Sequence, residues 1–190
     1  MKCSAGVLVA VVALVAGSEL RWSLSFSDEK QHLDGVGNFG KVTPWLYRGA
    51  QPTAVGLSSL AALGVNTVVK FSQGEEGAPG ERAAVEALGM HFMDLPWSSV
   101  RPPPTNRVAA FLTLLRDHPD QVVFVHCKAG SDRTGVMIAV ARIVRDHWTT
   151  VRAIEEMKAF HYRFIFLPHL QRYIEALPRQ LDRDPALEGF

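Results

Sequence analysis

Cysteine is nearly absent: two in 190 residues are too few for a disulfide scaffold. An excess of charge is missing too. Twenty Lys and Arg against nineteen Asp and Glu leave +1 at pH 7. With no general basic excess to neutralise a phosphate backbone, nucleic-acid binding is excluded as the main activity. A long apolar run is also lacking. Residues 5–16 make a run of 12, short of the ~20 that cross a bilayer as a helix. What is present is an ordinary globular balance, 47% hydrophobic and 21% charged, in a length that one domain fills.

The short apolar run has a different meaning at the start of the chain. Met1 and Lys2 give a positive beginning, residues 5–16 are uncharged with one glycine, and Ala16, Gly17 and Ser18 are small. That order is a secretory signal, with Val15 and Gly17 at the recognition positions and cleavage before Ser18. Residues 1–17 are therefore expected to be a signal peptide, and the mature protein periplasmic or secreted with no stable membrane span. If uncleaved, the leader is an N-terminal anchor, although Glu19 and Arg21 stop it from lengthening. Cleavage removes Lys2 and Cys3. The mature chain would be neutral and would hold a single thiol, Cys127.

Residues 18–37 are polar and aperiodic, a flexible lead-in. Gly35-Val36-Gly37-Asn38-Phe39-Gly40-Lys41-Val42 matches the glycine-rich loop of a protein kinase, but no H-R-D or D-F-G follows. No buried strand precedes Gly35, as a dinucleotide site would need. Strands and helices then alternate: strands at 42–47, 65–71, 90–95 and 122–125, helices at 53–63, 81–88, 105–117, 134–144, 150–160 and 167–177. The run 122–125 is continuously apolar, as in a strand buried on both faces. The helix 134–144 is apolar nearly all round, so it is buried. The order predicts a single α/β domain with a central, mostly parallel sheet flanked by helices. The tail from Pro178, 179–190 beyond the domain, is charged and expected to be loose.

Between the buried strand and the buried helix stands Val125-His126-Cys127-Lys128-Ala129-Gly130-Ser131-Asp132-Arg133-Thr134-Gly135. A turn at this junction aims successive N–H groups inward, and the helix start adds partial positive charge. A thiol at the base of such a nest is favoured as thiolate and is nucleophilic. Arg133 offers two parallel donors to phosphate oxygens. Gly130 allows a positive φ. Lys128, Ala129, Gly130, Ser131, Asp132 and Arg133 are the phosphate-binding candidates. Thr134 can donate to the thiolate, and His126 can orient the loop. The expected reaction is attack on a phosphate monoester, a phosphocysteine intermediate, then hydrolysis. It needs no metal or cofactor, because the nest and Arg133 carry the charge.

The pattern resembles the C-x5-R signature of the cysteine-dependent protein tyrosine phosphatase superfamily, within H-C-x-x-G-x-x-R-[ST]. Asn38-Phe39 and Leu46-Tyr47-Arg48-Gly49-Ala50-Gln51-Pro52 look like the start of small bacterial dual-specificity-like phosphatases, and Glu156-Met157-Lys158-Ala159-Phe160-His161 like their later helical part. The resemblance spans residues 38–177. It implies the compact cysteine-phosphatase domain over 38–178 and a tyrosine or dual-specificity protein phosphatase acting on phosphorylated protein. In such enzymes an Asp before a proline pair protonates the leaving group. Here Pro96-Trp97-Ser98-Ser99-Val100-Arg101-Pro102-Pro103 resembles that loop, with Ser99 in the acid's slot. Asp94, five residues earlier, Asp132 inside the signature loop, and solvent stay open as proton sources; myotubularin-like phosphatases carry a similar Asp-Arg pair in the loop.

Lys128-Ala129-Gly130 resembles the loop of phosphoinositide phosphatases, but Ser131 stands where a second lysine would. A phosphoinositide or inositol phosphate substrate is therefore the alternative. A non-catalytic phosphate-binding module is the alternative of another class. Phe92, Trp97 and Pro102–Pro104 are either pocket wall or packing, and Arg48, Lys70, Arg101 and Arg107 are possible further anion contacts.

Overall fold

The computed structural model describes residues 30–74, 80–117, 120–181 and 183–190. The leader and residues 18–29 of the lead-in lie outside them.

Five strands form one sheet in the order β1-β2-β5-β3-β4. These are β1 (Gly40–Thr43), β2 (Leu46–Ala50), β3 (Thr67–Lys70), β4 (His91–Asp94) and β5 (Val123–Cys127). Only β1 and β2 pair antiparallel; β2·β5, β5·β3 and β3·β4 are parallel. The strand expected at 42–47 is instead a hairpin, turning at Pro44 and Trp45. Proline has no N–H for the ladder, so the chain reverses there rather than running through.

Among the described residues, six helices cover the sheet: α1 (Ala54–Ala62), α2 (Glu81–Ala87), α3 (Thr105–Asp117), α4 (Asp132–Val144), α5 (Thr150–Ala159) and α6 (Pro168–Leu181). Thr53 caps α1 and Thr149 caps α5, each accepting from the N–H three residues on, as hydroxyl N-caps do. Alternating strand residues feed two cores. Val68, Phe124 and Tyr47 join Leu57, Leu60 and Val85 beneath α1 and α2. Val69, Val123 and Val125 join the larger core under α3 to α6. The centre of that core is α4, where Val136, Met137, Ile138, Ala139 and Val140 have no exposed surface.

Two segments are more ordered than their composition suggests. Residues 30–37 of the lead-in pack on α1. Val36 is buried, and a Cβ on Gly35 (φ +77°) would lie 2.2 Å from the Gly56 nitrogen. The glycines thus permit close contact with α1 rather than flexibility. At the other end, α6 continues through Pro178 to Leu181. A short 3-10 turn at Pro185–Leu187 then returns Leu187 to the core, 4% exposed.

Candidate active site

Cys127 ends β5, the middle strand of the five-stranded sheet, and α4 begins at Asp132. The position is the one open α/β sheets reserve for ligands, outside the carboxyl ends of the strands. Cys127 is 2% exposed, at the base of the turn, while Lys128 and Ala129 form its exposed rim.

The turn is shaped by what holds its carbonyls. Gly130 sits at φ +69°, and a Cβ there would lie 2.3 Å from the Gly49 carbonyl carbon, so the loop presses on the end of β2 and only glycine fits. Arg48 of β2, fully buried, donates to the Gly130 carbonyl at 3.1 Å and lies 3.9 Å over the Phe160 ring. Arg48 therefore braces the loop from beneath and is not a surface anion contact. Asn38 Nδ2 donates to the carbonyls of Gly130 and Phe160, 3.1 Å each. The Gln51 N–H donates to the Lys128 carbonyl at 3.3 Å. With the carbonyls turned to these donors, the N–H groups of Ala129, Gly130, Ser131 and Asp132 bond no backbone acceptor among the described residues. They form the anion nest with the first turn of α4, where Arg133 lies half-buried.

His126, fully buried, points to the opposite face from Cys127. Its Nδ1 lies 3.3 Å from the Cys127 carbonyl, and its Nε2 lies 3.0 Å from Glu81 Oε1, at ion-pair distance but off the line of a hydrogen bond. Glu81 opens α2 and accepts from Gln51 Nε2 at 2.7 Å. The Thr134 hydroxyl, expected to donate to the thiolate, is instead buried with no hydrogen-bond partner among the described residues, Cys127 Sγ included.

The two acid candidates differ sharply. Asp132 is 5% exposed, and both its oxygens are taken: Oδ1 accepts from the Arg163 N–H at 3.0 Å, and Oδ2 from Arg163 Nε at 2.8 Å and Nη2 at 2.6 Å. The Asp132 carboxylate holds the Arg163 guanidinium above the ordinary arginine range, and the Cys127 charge adds to the effect. Asp94 ends β4 and is exposed, with no side-chain bond among the described residues. It lies two strands from β5, roughly 10 Å across the sheet at ~4.8 Å per strand. Ser99 is held by its carbonyl, which accepts from His169 Nε2 at 2.9 Å.

Trp97, 2% exposed, packs in the larger core, and Arg82 covers the half-buried Phe92. Lys70 is turned to the Gly74 carbonyl. No cluster of His, Cys, Asp and Glu among the described residues could hold a metal ion, and none of their helices is long and apolar enough to cross a membrane. Sequence reasoning missed Arg163, Glu81 and the bracing role of Asn38. Each lies far along the chain from the loop it serves, and no local spacing marks it.

Fold and loop together are arranged as in the C-x5-R class of cysteine phosphatases. The chain belongs to the family described as "DSP-PTPase phosphatase fused to NAD+ Kinase", whose model matches residues 35–164. It is 33% identical over 128 residues to the dual specificity protein phosphatase TpbA of Pseudomonas aeruginosa, covering 67% of this chain and 56% of that protein. The chain thus spans little more than half the length of the curated relatives it matches first. The crystal structure of TpbA superposes with a TM-score of 0.66 at 28% identity, over 84% of this chain and 94% of that one. A crystal structure of a TpbA variant in complex with pTyr gives a TM-score of 0.64 at 28% identity, over 77% and 88%.

Proposed function

We propose that this chain hydrolyses phosphate monoesters through a phosphocysteine intermediate, as a tyrosine or dual-specificity protein phosphatase. The observation that carries the reading is the unbonded row of N–H groups above Cys127, backed by carbonyls that Arg48, Asn38 and Gln51 hold away. The names of the relatives, a dual specificity phosphatase and its complex with pTyr, support the substrate class.

In the reaction the nest and Arg133 bind three phosphate oxygens. The Cys127 thiolate attacks phosphorus in line, a sulfur–phosphorus bond forms, and the ester oxygen leaves with the bonding pair and takes up a proton. Water then attacks phosphorus, releasing inorganic phosphate and returning the pair to sulfur. The Asp132 oxygens are already bound, so Asp94 or water supplies the first proton.

Cys127→Ser tests the reading. Turnover of p-nitrophenyl phosphate and of a phosphotyrosine peptide should vanish while the peptide still binds. A variant that turns over esters as the parent does, or a parent that turns over none, identifies a phosphate-binding module instead. Export is proposed on the leader's pattern, and an intact mass beginning at Ser18 in material from the producing cell would support it. A second reading, an inositol phosphate or phosphoinositide substrate, rests on Lys128 standing exposed at the rim.

A further inference from the structure

The turn joining α5 to α6 runs along the outer edge of the signature loop. Asn38 ties the Phe160 carbonyl to that of Gly130, and three residues on, Arg163 grips Asp132. The grip uses the backbone N–H, Nε and Nη2 of Arg163. Nη1 has no partner among the described residues, and the side chain stays 60% exposed. Exposed ion pairs are common and can be structural alone; what sets this guanidinium apart is its place against the signature loop with Nη1 left over. It is held in a fixed orientation at the rim, beside the residue that precedes Arg133. Its electrostatic coupling to Cys127 agrees with that nearness to the nucleophile.

The charge count decides what such a cation can receive. Asp132 already offsets one positive charge, so a monoanionic carboxylate gains little there. A phosphate, with about −1.5 to −2 charges and three acceptor oxygens, gains more. The arginine fork also matches phosphate geometry better than a lysine does.

We propose that Arg163, fixed by Asp132, receives a second phosphate of a substrate that carries at least two. The class that fits is a polyphosphorylated ring, whether a free inositol polyphosphate or the headgroup of a phosphoinositide. The proposal rests on the hydrolase reading and takes up its second substrate class, the inositol phosphates, rather than the phosphoprotein. The two sources share one chemistry but differ in setting: Phe164, Ile165 and Phe166, directly after Arg163, are exposed and apolar.

The experiment measures kcat and KM for the full chain, Arg163→Ala, Arg163→Lys and Lys128→Ala. Substrates are a phosphotyrosine peptide, a soluble inositol bisphosphate, and phosphatidylcholine vesicles containing a bisphosphorylated phosphoinositide. Arg163→Ala should lower kcat/KM on a bisphosphorylated substrate about tenfold more than on the peptide, mainly through KM, as loss of a charged hydrogen bond predicts. Arg163→Lys should recover part of that difference, and it keeps the comparison usable if the alanine variant folds poorly. Preference for the soluble or the vesicle substrate identifies the source, and either supports the site. Equal losses on mono- and bisphosphorylated substrates would overturn it. No turnover of any ester by the parent chain would instead overturn the hydrolase reading.

Discussion

Asp132 shows how a residue can fit a role by position and be removed from it by its bonds. In the sequence it is an acid inside the phosphate loop. In the fold its oxygens accept three N–H donors from Arg163, and a carboxylate bound in that way is an acceptor with no proton to give. It joins the first turn of α4 to the α5–α6 turn. Asp132→Asn should therefore lower turnover by loosening the loop, with similar losses on esters of good and poor leaving groups. Asp94→Asn should lose more on the poor leaving group if Asp94 is the acid, and equally on both if water supplies the proton. The ratio of kcat/KM on p-nitrophenyl phosphate to that on an alkyl phosphate measures this. A loss confined to the poor leaving group in Asp132→Asn would return the acid role to Asp132. The chemistry of Cys127, Arg133 and Gly130 was legible because it depends on neighbours within seven residues. The fate of Asp132 was not, because Arg163 is thirty-one residues away.

Among elements, the β2 strand and the ordered end of the lead-in do the least expected work. The apolar runs of β3 and β5 and the amphipathic period of α3 are written in local pattern, and they lie within a few residues of where the sequence places them. The hairpin at Pro44 was lost because two short strands separated by a two-residue turn read as one run. The lead-in was taken as flexible because glycines signal both mobility and close approach, and only the facing Gly56 tells which applies. That segment leads directly into Asn38, so its order bears on catalysis. Asn38→Ala leaves the Gly130 and Phe160 carbonyls without that donor. An unmet buried polar group costs about 1–3 kcal/mol. The variant should show a lower thermal midpoint and reduced kcat, with loop and lead-in loosening together. Unchanged kcat alongside a lowered midpoint would mean that Arg48 and the Gln51 N–H suffice to fix the loop.

Across the whole molecule, the C-terminal segment closes the larger core. Its composition reads as a loose tail, since charge is frequent and apolar residues are few after Pro178. Yet Leu187 is buried, Phe190 lies under Arg116, and Thr105 donates to Asp184 at 2.9 Å. These contacts draw α6, α3 and the tail together, and Tyr173 of α6 reports on them. Burial pushes its phenol up to about 12, with the negative charge of Asp184 adding to the shift. The unfolded phenol ionises near ~10, so the unfolded state loses this proton first. Stability from the buried neutral phenol is therefore complete below pH ~10 and is lost as pH rises toward about 12. Denaturant unfolding between about pH 9 and 11 should show a steeper decline in the parent than in Tyr173→Phe, which has no proton to lose at that site. Removing residues after Leu181 should reduce the same difference, because the covering segment and Asp184 go with them. Parallel declines in parent and Tyr173→Phe would mean that the phenol is as free in the folded chain as in the unfolded one, and that the tail does not close the core in solution.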